Sequence, residues 1–267
     1  MPEMAASVPP TGEAQETMPA MSFLEHLEEL RRRIIYAIIA VAIGFGACWG
    51  YADRIYAIMQ RPIMEALHRN GMAEKLVYLN PTEPFNLYLK VAFLAGLFVA
   101  SPFVLYQVWM FISPGLYRNE RRYVLPFMFS TVLLFLAGGI FGYKVVYPGA
   151  LNFLIEYGKQ FQPMITIGEY TDLFLTIIIG MGVIFELPIL VFFLSLMGIV
   201  TAGWMWRNFR YSILVIFIIA AIVTPTTDIL NMCLFAAPMV GLYGISIGIA
   251  FLMHPAQRRK RREKQGR

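Results

Sequence analysis

From Ile34 to Ala52 the chain runs 19 residues without a charge, and comparable uncharged runs recur almost to its end, separated by short charged segments. A helix of that length spans a hydrocarbon core ~30 Å thick. The alternation therefore restricts the chain to a bundle of membrane-crossing helices. Composition agrees: 58% of residues are hydrophobic and 15% charged, whereas a soluble domain carries about a quarter charged. The net charge of +5 lies in short flanks between the apolar runs, so it speaks to topology before nucleic acid.

Taken in order, residues 1–21 contain no Lys or Arg and no apolar core, and read as a disordered tail rather than a signal or transit peptide. A membrane domain is expected over 22–253. It opens with an interfacial amphipathic helix, 22–33, started by the capping box Ser22-x-x-Glu25. Spans follow at about 34–52, 85–112, 123–147, 172–198, 211–223 and 229–253. Trp49 and Tyr51 mark the far interface of the first. The segment 53–84 reads as an external cap with a short helix near 55–67, in which Pro62 and Pro81 set chain direction. Pro102 predicts a kink in the second span, and Lys90 can snorkel outward from it. Gly138, Gly139 and Gly142 offer the third span a strip for close helix contact. A second external segment is expected over 148–171. The fifth span is only 13 residues, roughly 20 Å of helix, well short of a bilayer core. Pro238 lies inside the sixth, and 254–267 reads as a basic, disordered cytoplasmic tail.

Six helices put both termini on one side. The segments 22–33, 113–122, 199–210 and 254–267 hold 3, 3, 2 and 7 Lys/Arg, 15 of the 22 in the chain, so the positive-inside rule makes both termini cytoplasmic. No internal repeat is visible, which weighs against the transporter folds built from repeats. Nor is there a GxSxG, HExxH or P-loop pattern, so enzymatic activity, a metal site and a cofactor are not expected. His26, His68 and His254 are scattered and read as solvated or interfacial, and Cys48 and Cys233 as small packing residues.

Three acids stand out. Glu186 lies alone in GVIFELPIL, where a charge costs about 2.5–3.5 kcal/mol on insertion scales. It can be satisfied within the bundle, contact a partner helix, or relay a proton or ion as in a small-molecule transporter. Glu29 and Glu120 both fall at cytoplasmic helix ends beside arginines. Two carboxylates at one surface suit a ligand with two guanidinium groups, which bind carboxylates bidentately as Lys cannot. The pairs Glu28/Arg32 and Glu29/Arg33, spaced i,i+4, offer a simpler fate for the acids of the first helix.

FLEHLEELRRRI at the first span, VLYQVWMFISPGLYRNERR at the first internal loop, GVIFELPI in the fourth span and TPTTD before the sixth resemble, in order and spacing, the twin-arginine translocase TatC family from about Ser22 to Met253. The resemblance implies an all-α, concave, glove-like bundle of six helices in the bacterial cytoplasmic (inner) membrane. It implies a core receptor that binds the twin-arginine signal peptides of folded proteins. With TatA- and TatB-type single-span partners in a multimeric complex, it exports them on the proton-motive force. By matched position, Glu29 and Glu120 resemble the acids that hold the arginine pair. Phe111 and Leu116 resemble residues around that site, and Arg121 and Arg122 the basic pair that orients Glu120. Glu186 resembles the intramembrane polar residue where partner helices dock, and Pro62 and Phe85 structural positions of the external cap. Asp228 resembles the acid of the last external turn, although here Thr226 and Thr227 separate it from Pro225, where some members have a single residue.

Overall fold

The structure, a computed structural model, describes residues 23–72, 75–112, 124–161, 164–196, 198–224 and 228–265. These form helices α1 (Phe23–Trp49), α2 (Ala52–Met59), α3 (Arg61–Arg69), α4 (Glu83–Ile112), α5 (Val124–Phe141), α6 (Tyr147–Tyr157), α7 (Ile167–Ile184), α8 (Leu187–Leu196), α9 (Ala202–Arg207), α10 (Phe209–Val223) and α11 (Ile229–Gln265). A π-helical turn, Gly142–Val146, joins α5 to α6. There is no strand among the described residues, only an isolated parallel bridge between Val77 and Thr166. The all-helical expectation holds. Among the described residues, five stretches are long and apolar enough to cross a membrane: Leu24–Trp49, Glu83–Phe111, Phe127–Tyr157, Ile167–Ser195 and Ile229–Phe251, with the shorter Phe209–Val223 as a sixth.

Four boundaries differ from the sequence reading, and prolines explain two. The third span does not stop at Tyr147 but runs through Pro148 to Tyr157. Pro148 has no N–H, and in a regular helix its ring would meet the carbonyl four residues back. The chain widens into the π turn just before it, where the Tyr147 N–H reaches back to the Gly142 carbonyl. In the fourth span Pro188 has the opposite outcome, since α7 ends at Ile184, the residue whose carbonyl Pro188 cannot serve, and α8 restarts at Leu187. The interfacial helix and first span are one continuous helix, α1, and α11 continues past the last apolar residues to Gln265.

Elsewhere the backbone groups that proline frees are served by hydroxyls. Pro102 sits inside α4 and strands the Phe98 carbonyl; Ser101 Oγ donates to that carbonyl at 2.7 Å. Pro62, in the first turn of α3, cannot serve the Ile58 carbonyl, which instead takes a backbone N–H at the end of α2 and the Tyr143 Oη at 2.8 Å. The neighbouring Met59 carbonyl accepts from the buried Tyr170 Oη at 2.6 Å. Two tyrosines on the third and fourth spans thus fasten the α2–α3 cap across the bundle end. The cap is further tied down by Val77, whose N–H and carbonyl pair with Ile165 and Ile167 at 3.0 and 2.9 Å.

With apolar lipid on one side and apolar protein on the other, helix association rests on close packing. Gly44 of α1 and Gly96 of α4 let two backbones touch: a Cβ at Gly44 would sit 2.5 Å from the Gly96 carbonyl oxygen, and one at Gly96 would strike the Phe45 backbone. The glycine strip of the third span serves the same purpose against α7, where a Cβ on Gly138 would lie 2.5 Å from the Met181 carbonyl oxygen. The main core lies between α3, α4, α6, α7, α10 and α11, around Ile63, Tyr147, Ile177, Met181 and Phe235. Gly96→Ala should push α1 off α4 and destabilise the protein by about 2–3 kcal/mol. Gly46→Ala, with nothing within 4 Å of the added carbon, should be neutral in the same detergent unfolding assay.

Candidate functional site

α1 and α4 run antiparallel, and their facing stripes build a polar cluster near one end of the pair. On α1, His26, Glu29 and Arg33 share a face by i,i+3 and i,i+4 spacing; on α4, Gln107 and Phe111 do. Glu29 Oε1 accepts from Arg33 Nη2 at 3.1 Å. Arg33 Nη1 donates to Gln107 Oε1 at 3.2 Å, which carries the cluster across to α4. Gln107 is buried, and the Glu29 and Arg33 side chains are only 10% and 16% exposed, so water screens this pair far less than a surface one. One turn outward, the His26 and Phe111 rings stack with centroids 4.4 Å apart and planes 19° from parallel.

The helix-pairing alternative for Glu29 is therefore realised, but it occupies half of the carboxylate. Glu29 Oε2 and Arg33 Nε are buried and have no hydrogen-bond partner among the described residues. Beside them, an open depression of about 610 Å³ runs along α1, lined by Glu25, Glu28, Glu29, Arg31, Arg32, Ile35 and Tyr36. Glu120, Leu116, Arg121 and Arg122 lie outside the described residues.

Glu186 occupies the break between α7 and α8, a place the sequence marks only by Pro188 two residues on. Its N–H donates to the Val183 carbonyl at 3.1 Å and its carbonyl accepts from Leu190 at 2.9 Å, so the main chain is satisfied. The side chain is not: Oε1 is buried without a partner among the described residues. The other expected positions, Pro62, Phe85 and Asp228, lie at helix starts. Pro62 cannot serve the carbonyl that Tyr143 binds, as described above. Phe85, 60% exposed in the first turn of α4, packs edge-on against Trp49 at 6.2 Å. Asp228 starts α11, where its carboxylate accepts from the Asn231 N–H at 2.7 Å and the Asn231 amide at 2.9 Å.

Sequence reading missed His26 and Gln107. From the sequence His26 reads as a solvated or interfacial histidine, yet its i,i+3 relation to Glu29 puts it on the same stripe, which is the available signal. Gln107 carries no sequence signal, because its importance comes from the partner helix. Gln107→Leu should leave Arg33 Nη1 without an acceptor and destabilise the protein by about 1.5–3 kcal/mol, read from thermal unfolding in detergent.

Fold and site together define a polytopic helical membrane protein with a charged face near the ends of two spans. Among the described residues no three His, Cys, Asp or Glu side chains are grouped as metal ligands. The family model for the Sec-independent protein translocase protein (TatC) matches residues 25–238. The chain is 74% identical over 252 residues to the Koribacter versatilis Sec-independent protein translocase protein TatC, covering 94% of this chain and 93% of that one. It is 38% identical over 238 residues to the Carboxydothermus hydrogenoformans TatC, covering 89% and 96%. The crystal structure of a twin arginine translocase receptor, TatC, superposes with a TM-score of 0.75 at 35% identity over 85% of this chain and 98% of that one. A second crystal structure of the receptor, in the detergent DDM, gives 0.76 over 85% and 99%. This chain belongs to the TatC family. It is a multi-pass inner-membrane subunit of a protein translocase and not an enzyme.

Proposed function

We propose that this chain is the receptor subunit for twin-arginine signal peptides, and that Glu29 is one of the two acids that hold the arginine pair. The observation that carries this reading is the half-used Glu29 carboxylate. A buried oxygen without a donor costs about 1–3 kcal/mol or more when charged. A guanidinium supplies the missing donors in fixed geometry. Arg33 holds the other oxygen and keeps the carboxylate oriented, and Gln107 holds Arg33. Phe111, stacked on His26, gives the same stripe an apolar end against which the peptide beyond the arginines can pack. Glu120, Arg121, Arg122 and Leu116 complete the site from the loop after α4, with Glu120 as the second acid. Both termini then face the cytoplasm, since signal peptides arrive from that side.

The signal peptide's apolar stretch next enters the bundle, and single-span TatA- and TatB-type subunits assemble on it. Glu186 is the proposed partner contact. A carboxylate stranded within a span is stabilised by a polar group from a neighbouring helix. The sequence has no nucleotide-binding loop, in keeping with transport driven by the proton-motive force.

Binding of a twin-arginine peptide to the purified protein tests the receptor reading. Replacing the arginine pair by Lys-Lys, or Glu29 or Glu120 by Gln, should each weaken binding about tenfold or more. Equal affinity for the Lys-Lys peptide would make both acids structural. Independently, Glu186→Ala should reduce cross-linking to the TatB-type subunit while sparing peptide binding, and Glu186→Gln should reduce it less. Unchanged cross-linking would remove the partner role.

A further inference from the structure

At the end of the bundle away from Glu29, the α3 cap and the third span enclose a second polar pocket of about 420 Å³. Its walls carry Arg61, Glu65 and Arg69 from α3, and Tyr143, Lys144 and Asn152 from the third span. Three cations thus face one acid. Glu65 is engaged by Arg69 at 3.9 Å, which leaves Arg61 and Lys144 without an ion pair among the described residues. The two come from separate elements, and they meet because Tyr143, between them on the pocket wall, holds the Ile58 carbonyl and so fixes the start of α3 against the span.

Like charges brought together in a shaped pocket point to an anion as the occupant. Two guanidinium groups, an ammonium and an amide N–H₂ match the oxygens of a phosphate. The surroundings identify the source. Below Lys144 on the third span, Ile140, Leu136, Leu133 and Phe129 follow at helical spacing and are 57%, 38%, 53% and 70% exposed. An apolar stripe of this kind, on a membrane span, is where acyl chains lie, and it leads directly into the cationic pocket. We propose that this pocket holds the phosphodiester headgroup of an anionic phospholipid in the leaflet beside the cap, with its acyl chains along Ile140 to Phe129. The lipid would then bridge the cap and the third span through polar contacts, beside the apolar core that already joins them. The proposal is independent of the signal-peptide reading, since none of its residues belongs to that site.

The test uses the full-length protein in nanodiscs of phosphatidylcholine, with or without phosphatidylglycerol. In the wild type, phosphatidylglycerol should slow acylation of the Lys144 amine about tenfold and leave Lys159, which pairs with Glu156 at 3.6 Å outside the pocket, unchanged. Native mass spectrometry should show phosphatidylglycerol retention falling about tenfold in R61Q/K144Q, but persisting in R61K/K144R and K159Q. Equal protection of Lys144 and Lys159, or undiminished retention by R61Q/K144Q, would overturn the site. Protection by inorganic phosphate in pure phosphatidylcholine discs, matching that by the lipid, would overturn the lipid as its source. The acylation arm needs no variant, so the proposal stays testable if R61Q/K144Q fails to fold.

Discussion

Inside a bilayer a backbone carbonyl can bond only to the protein, and the rest of this structure is arranged around that constraint. Where the helices run unbroken, the i→i−4 ladder meets it. Where proline removes a rung, the chain answers in three ways. A hydroxyl donates to the carbonyl that proline cannot serve, Ser101 to Phe98 and Tyr143 to Ile58. A π turn makes room before Pro148. At Pro188 the helix ends and begins again. Polar side chains within spans follow the same logic: Thr171, Thr224 and Ser246, all buried, donate to the carbonyl four residues back in their own helix.

The same constraint explains how the site is held. Helices in lipid associate by contact, and the backbone-to-backbone approach at Gly44 and Gly96 sets the distance and register between α1 and α4. That register brings Arg33 opposite Gln107 and His26 opposite Phe111. The charged face therefore depends on a glycine crossing farther along the pair, and its acid is oriented by Arg33, which a residue of the other helix holds in turn. Half-satisfied polar networks are costly in a fold that serves stability alone. Among the described residues, Glu29 and Glu186 are the two carboxylates with a buried oxygen that has no hydrogen-bond partner.

Much was legible in the chain. Apolar run lengths separated the spans, including the short fifth, because a fixed bilayer thickness translates directly into residue number. The i,i+4 relation of Glu29 and Arg33 was readable because helical geometry is local. Long motifs carried the resemblance to the TatC family, and with it Glu29, Phe111 and Glu186 as candidates. Boundaries were harder. Pro148 and Pro188 look alike in sequence, but one is absorbed into a continuous helix and the other breaks it. That choice depends on whether neighbouring helices favour continuing the span.

Span number, the all-helical class and the acids available for recognition follow from the amino-acid order, since hydropathy and helical periodicity act over a few turns. Which acid is half-paired, which carbonyl a tyrosine serves and which cations converge depend on contacts between residues far apart in the chain, such as Arg33 with Gln107 and Tyr143 with Ile58. A hydrogen bond needs its partners within about 3 Å, and only the packing of helices on one another brings such residues that close.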